Sequence, residues 1–163
     1  MQLQEKFIAL LHHHQGILHK ICHVYRAKEI DREDLFQEIA LQAWKAYPSF
    51  KGESKFSTWL YRVSINTAIS YCRKEGRQPL MISTDVFPDI PEDIDDTNAQ
   101  FAAMYQHMEA LSEVDKAILV LFLEDYSYEE IGELLGITAN NVAVKMNRIK
   151  TKLRAEVQKH SGV

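Results

Sequence analysis

The sequence predicts an all-α protein of two small helical domains joined by an acidic, proline-containing linker. Apolar residues recur at the three- and four-residue spacing of helices through most of the chain, and we find no convincing strand alternation. In the middle, the stretch "QPLMISTDVFPDIPEDIDD" contains three prolines and six acids. The C-terminal part has the turn and capping residues of a helix-turn-helix, a unit that binds DNA in many proteins.

The overall composition is that of a globular protein without a membrane segment. The chain has 163 residues, of which 46% are hydrophobic and 26% are charged. The longest apolar run, Ile118 to Leu123, is much too short to cross a bilayer, and the start "MQLQEKFIAL" lacks the pattern of a secretory signal. Cys22 and Cys72 have no paired spacing, so we expect reduced thiols in a cytoplasmic protein.

Charge is distributed in blocks along the chain, although the formal net charge is only −4. Residues 1–77 hold 12 Lys and Arg against 8 acids, whereas residues 78–115 hold no Lys or Arg and nine acids. Residues 138–154 carry five basic residues and no acid. This pattern indicates two units that face nucleic acid, separated by an anionic connector whose charges repel each other.

The N-terminal half contains helices that we place by their apolar spacing and their stop signals. One or two helices flank Gly16, and another covers residues 34–47, where Pro48 stops it. The loop "SFKGESKF" follows, in which Gly52 is available for an unusual backbone angle. A third helix covers about residues 57–74. We expect its buried residues to include Leu60, Val63, Ile65 and Ile69.

The C-terminal half is predicted to begin with a helix that starts near Asn98. Its apolar side contains Phe101, Met104, Tyr105 and Met108. Ser112 then has the position of an N-terminal cap for the next helix. These boundaries divide the chain into a domain over residues 1–77, a linker over 78–99 and a domain over 100–163.

Two helices near the C-terminus are delimited by local signals. Ser127 and Glu130 form a capping box, so the first helix begins at Tyr128. Gly136 is placed to end this helix in a left-handed turn, and Thr138 can cap the second helix. Gly132 fits because the two helices approach closely near it. The turn length and its glycine are those of a helix-turn-helix.

The second helix of this pair has one apolar stripe and a broad cationic remainder. The stripe consists of Val142, Met146, Ile149 and Leu153, at steps of four, three and four. Asn141, Lys145, Arg148 and Lys152 line one flank, and Asn147, Lys150 and Arg154 line the other. A solvated face is the alternative, but in a helix-turn-helix this second helix enters the major groove. Asn and Arg suit base edges there, and Lys suits phosphates.

The helix over residues 57–74 and the loop before it interleave aromatic and basic side chains. Rings can stack on unpaired bases while cations follow the backbone. The residues concerned are Phe56, Trp59, Tyr61, Arg62, Asn66, Arg73, Lys74 and Arg77. Trp59 and Tyr61 are equally suited to a core, and periodicity favours the core for at least one of them.

These two halves resemble a known family. The stretch "DLFQEIALQAWKAYPSFKGESKFSTWLYRVSINTAI" closely resembles region 2 of bacterial sigma factors of the extracytoplasmic-function class, within the sigma-70 family. The stretch "LSEVDKAILVLFLEDYSYEEIGELLGITANNVAVKMNRIKTKLR" is similar to their region 4. The resemblance covers about residues 5–77 and 100–156, in the family's order. It implies an alternative sigma factor that binds core RNA polymerase, directs it to particular promoters and helps to melt the DNA.

The resemblance also implies roles for individual residues. Docking on the clamp helices of the polymerase β′ subunit would use Asp34, Gln37 and Glu38. The minus-ten element, with one flipped-out base, would be held by Lys51, Lys55, Phe56, Trp59, Arg62, Asn66, Arg73 and Lys74. The minus-thirty-five element would be read as duplex by Thr138, Asn140, Asn141, Val144, Lys145, Arg148 and Lys152.

The implied partners are core RNA polymerase, through its β′ clamp helices and its β subunit, promoter DNA and an anti-sigma protein. The acidic linker resembles the segment that family members direct toward the RNA exit path. No cofactor, metal or membrane insertion is expected. Two pairs of residues depart from the family's pattern. Ala143 and Val144 stand where relatives often have a basic residue, and Asn140 with Asn141 replaces a common Gly-Thr pair, so base contacts are not carried over.

Two other classes of function remain open from the residues alone. A one-component helix-turn-helix regulator would use residues 1–77 to bind a ligand or to dimerise, and it would bind duplex DNA without polymerase. An interaction module that sequesters other factors would lack transcription activity. We do not expect an enzyme, because no cleft or nucleophile accompanies the acids around Asp34. His12, His13 and His14 are adjacent on a helix and point in different directions, which disfavours a metal site.

Overall fold

The computed structural model describes residues 2–26, 29–75 and 107–160. Within these residues every regular element is helical, which confirms the all-α prediction. The helices are α1 (Gln2–His13), α2 (Gln15–Tyr25), α3 (Glu29–Ala46), a 3-10 helix (Tyr47–Ser49), α4 (Phe56–Glu75), α5 (Glu113–Leu123), α6 (Tyr128–Leu135) and α7 (Ala139–His160). They belong to two compact units, Met1–Asp93 and Ile94–Val163. The proposed linker and most of the helix expected from Asn98 lie outside the described residues, whereas Met108 of that helix is described, helical and buried.

The N-terminal unit is built around three helices, α2, α3 and α4, which contact one another. Its fully buried side chains include Leu18, Ile21, Leu35, Ile39, Leu60 and Ile65. The helix α1 adds Phe7, whose ring lies 5.2 Å from that of Trp44 and 5.0 Å from that of Tyr47. The apolar spacing in the sequence therefore marks the surfaces that face this core.

The helix boundaries in this unit differ from the sequence expectations by a few residues. The helix α3 starts at Glu29, before the expected Asp34, and ends at Ala46, just before the 3-10 helix that contains Pro48. Proline suits that position because its fixed φ fits the first turn of a helix. Val63 and Ile69, which were expected to be buried, are only partly covered. Gly52 adopts φ 74°, as its place in the loop predicts.

In the described part of the C-terminal unit, α5, α6 and α7 contact one another. Its helix ends follow the local signals in the sequence. Ser112 accepts a bond from the backbone N–H of Asp115, Ser127 and Glu130 form the complete capping box, and Gly136 ends α6 with φ 76°. At Gly132 a Cβ atom would lie 2.5 Å from the carbonyl oxygen of Ile137. The turn between α6 and α7 therefore passes too close to Gly132 to leave room for a side chain.

Candidate nucleic-acid interfaces

One side of α4 carries a row of polar and cationic side chains that faces away from the core. Arg62, Asn66, Ser70 and Arg73 are exposed, and their spacings of four, four and three place them on one face. Trp59, three residues before Arg62, continues the row and is half-buried. We call these five residues the α4 row. The opposite face of the helix is buried and includes Leu60, Ser64, Ala68 and Tyr71.

Trp59 is held in the row by an aromatic cluster at the start of α4. The ring centroids of Phe50 and Phe56 lie 5.3 Å and 5.4 Å from that of Trp59. Phe56 is only 9% exposed, whereas Trp59 keeps part of its ring in solvent. Tyr61 is 4% exposed and belongs to the core. This confirms the prediction that at least one of Trp59 and Tyr61 is buried. Trp59 is therefore the ring that this arrangement leaves available for stacking.

The loop before α4 brings two cations to the same end of the row. Lys51 and Lys55 are both exposed, and Gly52 between them has the positive φ that turns the loop. The backbone N–H of Trp59 donates to the carbonyl oxygen of Lys55 at 3.1 Å, which fixes the loop to the first turn of α4. Phe50 anchors its other end in the aromatic cluster. The structure thus places these predicted DNA-binding lysines beside Trp59.

A shallow groove of about 410 Å³ lies between α3 and α4. The α4 row forms one of its edges through Asn66 and Ser70, and Lys74 lies in its lining. Glu38 and Gln42 line it from α3, where the Gln42 amide donates to Glu38 Oε1 at 3.0 Å. The groove offers amide, hydroxyl, carboxylate and ammonium groups within one recess, a combination that can hydrogen-bond the edge of a nucleic-acid base.

The residues predicted to dock on polymerase share the side of α3 that is turned away from its buried residues, and one of them, Glu38, also lines the groove. Asp34, Gln37 and Glu38 are half-buried and lie away from Leu35 and Ile39, which are fully buried. The sequence pattern therefore identified the solvent side of this helix.

The electrostatic environment of Tyr71 shows that this side of α3 is acidic. Burial raises the pKa of the Tyr71 hydroxyl, and the negative charges of Asp34, Asp31 and Glu38 raise it further. Arg26, whose guanidinium lies 5.2 Å from the centre of the Tyr71 ring, opposes this increase in the pKa. The acids of α3 therefore act on Tyr71, in the C-terminal half of α4.

The helix α7 buries the predicted stripe and exposes most of the predicted DNA-binding face. Val142, Met146 and Ile149 are buried, and Leu153 is half-buried. The exposed residues of the predicted face are Asn140, Asn141, Val144, Arg148 and Lys152, whereas Lys145 is half-buried. Thr138 Oγ1 accepts the backbone N–H of Asn141 at 3.1 Å. Thr138 therefore acts as the cap that orients the first turn of α7.

Arg148 has a partner that the sequence analysis did not identify. Its guanidinium lies 3.8 Å from Asp115 Oδ1, and the side chains are 53% and 3% exposed, respectively. Asp115 Oδ1 is buried without a hydrogen-bond partner. In the sequence, Asp115 looks like an ordinary acid in the first turn of a capped helix, where acids are favourable. Only the packing of α5 against α7 reveals that the carboxylate faces Arg148.

Lys150, on the other flank of α7, also has a contact within the unit. Its ammonium nitrogen lies 5.6 Å from the centre of the Phe122 ring on α5. Cations are attracted to the face of an aromatic ring at this distance. Two of the basic residues in residues 138–154 thus contact the unit itself, on opposite flanks of the helix.

Other groups that could carry chemistry do not assemble into a site in the described part of the chain. No group of three His, Cys, Asp or Glu side chains there is arranged to hold a metal ion. Cys22 and Cys72 are free thiols, and burial raises the pKa of the Cys22 thiol well above its usual range. None of the described helices is both long and apolar enough to cross a membrane.

Two regions of one protein family match this chain. The family description "Sigma-70 region 2" matches residues 10–78, and "Sigma-70, region 4" matches residues 101–153. The chain is similar to the ECF RNA polymerase sigma-E factor of Haemophilus influenzae, with 28% identity over 78% of this chain and 75% of the relative. It is also similar to the ECF RNA polymerase sigma-E factor of Escherichia coli, with 29% identity over 78% of this chain and 74% of the relative.

Two solved structures have a similar fold. One is the sigma factor RpoE in complex with the anti-sigma factor NepR from Bartonella quintana, with a TM-score of 0.70, 20% identity, and coverage of 94% of this chain and 98% of that chain. The other is CnrH in complex with the cytosolic domain of CnrY, with a TM-score of 0.66 and 20% identity. The match covers 96% of this chain and 90% of that chain. At this identity the likeness concerns the fold alone.

Proposed function

Because the chain belongs to the extracytoplasmic-function class of the sigma-70 family, we propose that it is an alternative sigma factor that directs core RNA polymerase to specific promoters. The presence of both family regions in one chain carries this conclusion, since the two regions match residues 10–78 and 101–153 in order. The protein binds core RNA polymerase and promoter DNA. We infer that it has no catalytic activity of its own and acts in the cytoplasm, where the polymerase is.

We assign residues 1–77 to polymerase docking and to the minus-ten element, residues 78–99 to the linker, and residues 100–163 to the minus-thirty-five element. Docking uses Asp34, Gln37 and Glu38 on the clamp helices of the β′ subunit. These residues support the role because they share one side of α3 and none of them belongs to the buried core. The family resemblance also implies contact with the β subunit.

The α4 row and the loop before it would hold the minus-ten element after it melts. Trp59 offers a ring for stacking, Lys51, Lys55 and Arg62 lie at the same end of α4, and Arg73 adds positive charge farther along the helix. Phe56 is too buried to stack on a base, so we infer that it supports the position of Trp59. Stacking contributes about 1–3 kcal/mol per base, which is comparable to the few kcal/mol required to extrude one.

We propose that the groove between α3 and α4 receives the flipped-out base. Asn66 lies on its edge, and an amide can both donate to and accept from a base. Lys74 lies in the same groove, where it can neutralise a neighbouring phosphate. This places the melted strand along α4, from the loop lysines to the C-terminal end of the helix.

The helix α7 would enter the major groove of the minus-thirty-five element. In a helix-turn-helix, the residues near the N-terminus of the second helix reach base edges. Asn140, Asn141 and Val144 occupy that part and are exposed. Lys145, Arg148 and Lys152 form the flank that can contact the phosphates. Thr138 contributes to this interface indirectly, because its side chain caps the first turn of α7.

An anti-sigma protein is a further proposed partner. The support is that two proteins of the same fold were solved in complexes, one of them with the anti-sigma factor NepR and the other with the cytosolic domain of CnrY. Such a partner would compete with core polymerase for this chain. Adding it to a reconstituted transcription reaction would therefore reduce promoter-specific initiation.

The test of the proposed function is reconstitution with core RNA polymerase on a library of promoter fragments, followed by mapping of transcript start sites. A sigma factor gives transcripts from defined sites that require both the protein and core enzyme. A one-component regulator would instead bind duplex DNA by itself and would not confer specific starts on core enzyme. A sequestering module would give no transcripts. Either of the last two results would overturn the proposal.

A further inference from the structure

The outward surface at the start of α7 combines two amides with one apolar side chain. Asn140, Asn141 and Val144 lie within the first two turns of the helix and are all exposed. Val144 is 59% exposed, whereas Val142, Met146 and Ile149 of the same helix are at most 2% exposed. Val144 therefore contributes little to the core of the unit, and it lies at the centre of the surface that would face the major groove.

We propose that this surface selects an upstream promoter element rich in A·T base pairs, with Val144 contacting a thymine methyl group and Asn140 or Asn141 contacting adenine. The inference rests on the proposed function and adds the chemistry of the bases that are read. In the major groove, thymine presents its C5-methyl group, and adenine presents N7 and the N6 amino group, which suit an apolar side chain and an amide respectively.

The positions of the basic residues support the choice of A·T over G·C pairs. Guanine is read most often by Arg or Lys that bind O6 and N7 together. Arg148 is held 3.8 Å from Asp115, on the flank of the helix. Lys152 and Arg154 follow Asn141 by about 16 Å or more along the helix axis, beyond the part that usually reaches bases.

Lys145 is the remaining basic residue in the first half of α7, and its position favours a phosphate contact. It is half-buried and lies on the same flank as Arg148, next to Asn141 rather than at the centre of the outward surface. A contact to phosphate carries no sequence information, whereas a contact to guanine would. Replacing Lys145 with Ala therefore separates the two possibilities.

The first experiment is selection by the full-length protein in holoenzyme on promoters that are randomised upstream. We expect neighbouring A·T pairs to be enriched in the minus-thirty-five element. Lys145→Ala should weaken transcription from all selected promoters to a similar extent. A G·C-rich selected element, or a Lys145→Ala variant that loses a preference for guanine, would overturn the inference while defined start sites still support the proposed function. Loss of defined start sites would overturn both.

The second experiment removes single groups from the selected DNA. Replacing thymine with uracil deletes the methyl group, and it should weaken holoenzyme binding roughly fourfold, the effect of one methyl-sized apolar contact. Val144→Ala should cause a similar loss on the thymine promoter and no further loss on the uracil promoter. Thr151→Ala, which also replaces an exposed β-branched residue of α7, controls for the change in helix propensity. Equal effects of uracil on the parent and on Val144→Ala would contradict the methyl contact.

The adenine contact has a matched test. In 7-deazaadenine a carbon replaces N7, which removes one of the two groups that an amide binds. This change should weaken binding of the parent roughly tenfold, as expected for loss of a bidentate contact. The Asn140→Ala or Asn141→Ala variant that has lost the contact should be insensitive to the same change. If both variants respond as the parent does, neither amide reads adenine.

Discussion

The ion pair between Arg148 and Asp115 leads to a prediction about the stability of the C-terminal unit. Asp115 is 3% exposed, and its Oδ1 atom has no hydrogen-bond partner, so the nearby guanidinium is its main compensation. In the Arg148→Ala variant, the buried Asp115 carboxylate loses the guanidinium that compensates its charge. Adding Asp115→Asn to that variant removes the uncompensated charge. We therefore expect Asp115→Asn to destabilise the parent but to stabilise the Arg148→Ala variant.

The magnitude follows from the geometry of the pair. Two unit charges at about 4 Å attract each other by about 4 kcal/mol at an effective dielectric constant of about 20. Because the Arg148 side chain is 53% exposed, water screens the pair, and its net contribution falls to roughly 1 kcal/mol. Leaving the buried acceptor uncompensated adds roughly 1–3 kcal/mol. Arg148→Ala should thus lower the free energy of unfolding by about 2–4 kcal/mol.

Hydrogen exchange of the α7 amides is a suitable assay for this change. Both tryptophans, Trp44 and Trp59, lie in the N-terminal unit, so their fluorescence does not report on α7. Lys152→Ala is the matched control, since Lys152 is an exposed basic residue on the same flank. It should change stability by less than about 0.5 kcal/mol. If Asp115→Asn has the same effect in the parent and in the Arg148→Ala background, the two side chains are not coupled and the reasoning is refuted.

Four further predictions concern the interfaces and the turn. Changing the docking residues Asp34, Gln37 and Glu38 to Ala in one variant should weaken binding to core polymerase in a titration. Glu33→Ala, which changes an exposed acid on the same helix, should not weaken it. Equal binding by the two variants would exclude the docking role. Trp59→Ala should impair open-complex formation more on a closed duplex than on a pre-melted template, by about 1–3 kcal/mol for lost stacking; an equal defect would indicate misfolding. Lys152→Ala should reduce the slope of log affinity against log salt by about one, with no change in the selected sequence. Gly132→Ala should destabilise the C-terminal unit by about 1–3 kcal/mol in a denaturation assay, because the new Cβ would lie 2.5 Å from a carbonyl oxygen. Gly16→Ala is the control. It should not destabilise the protein, because no atom lies within 4 Å of its new Cβ.

The helix boundaries of the helix-turn-helix could be predicted from the sequence because the signals that set them are local. Ser127 and Glu130 satisfy each other's backbone N–H groups within one turn, and Gly136 adopts the left-handed conformation that its type favours. The apolar stripe of α7 was predicted for a similar reason, since helix geometry alone places Val142, Met146 and Ile149 on one face.

The extent of exposure in the N-terminal unit could not be predicted in the same way. Phe56 and Trp59 both belong to an aromatic-basic pattern in the sequence, yet Phe56 is 9% exposed and Trp59 remains partly open. Phe50, from the preceding loop, packs against both rings. Phe56 is covered further by His14, which lies between α1 and α2 and whose ring is 5.1 Å away. Helical periodicity assigns a residue to a face of its helix, but it does not specify which loop covers that face.

The sequence by itself determined the helical class, the order of the two regions and the membership of the sigma-70 family, because these depend on the spacing, capping and identity of residues that are close in the chain. The tertiary structure decided what individual charged groups contact. Arg148 and Asp115 meet only because α5 packs against α7, and Lys150 lies over Phe122 for the same reason. An ion pair depends on the distance between two side chains in space, and for residues far apart in the chain that distance is set by the packing of the helices that carry them.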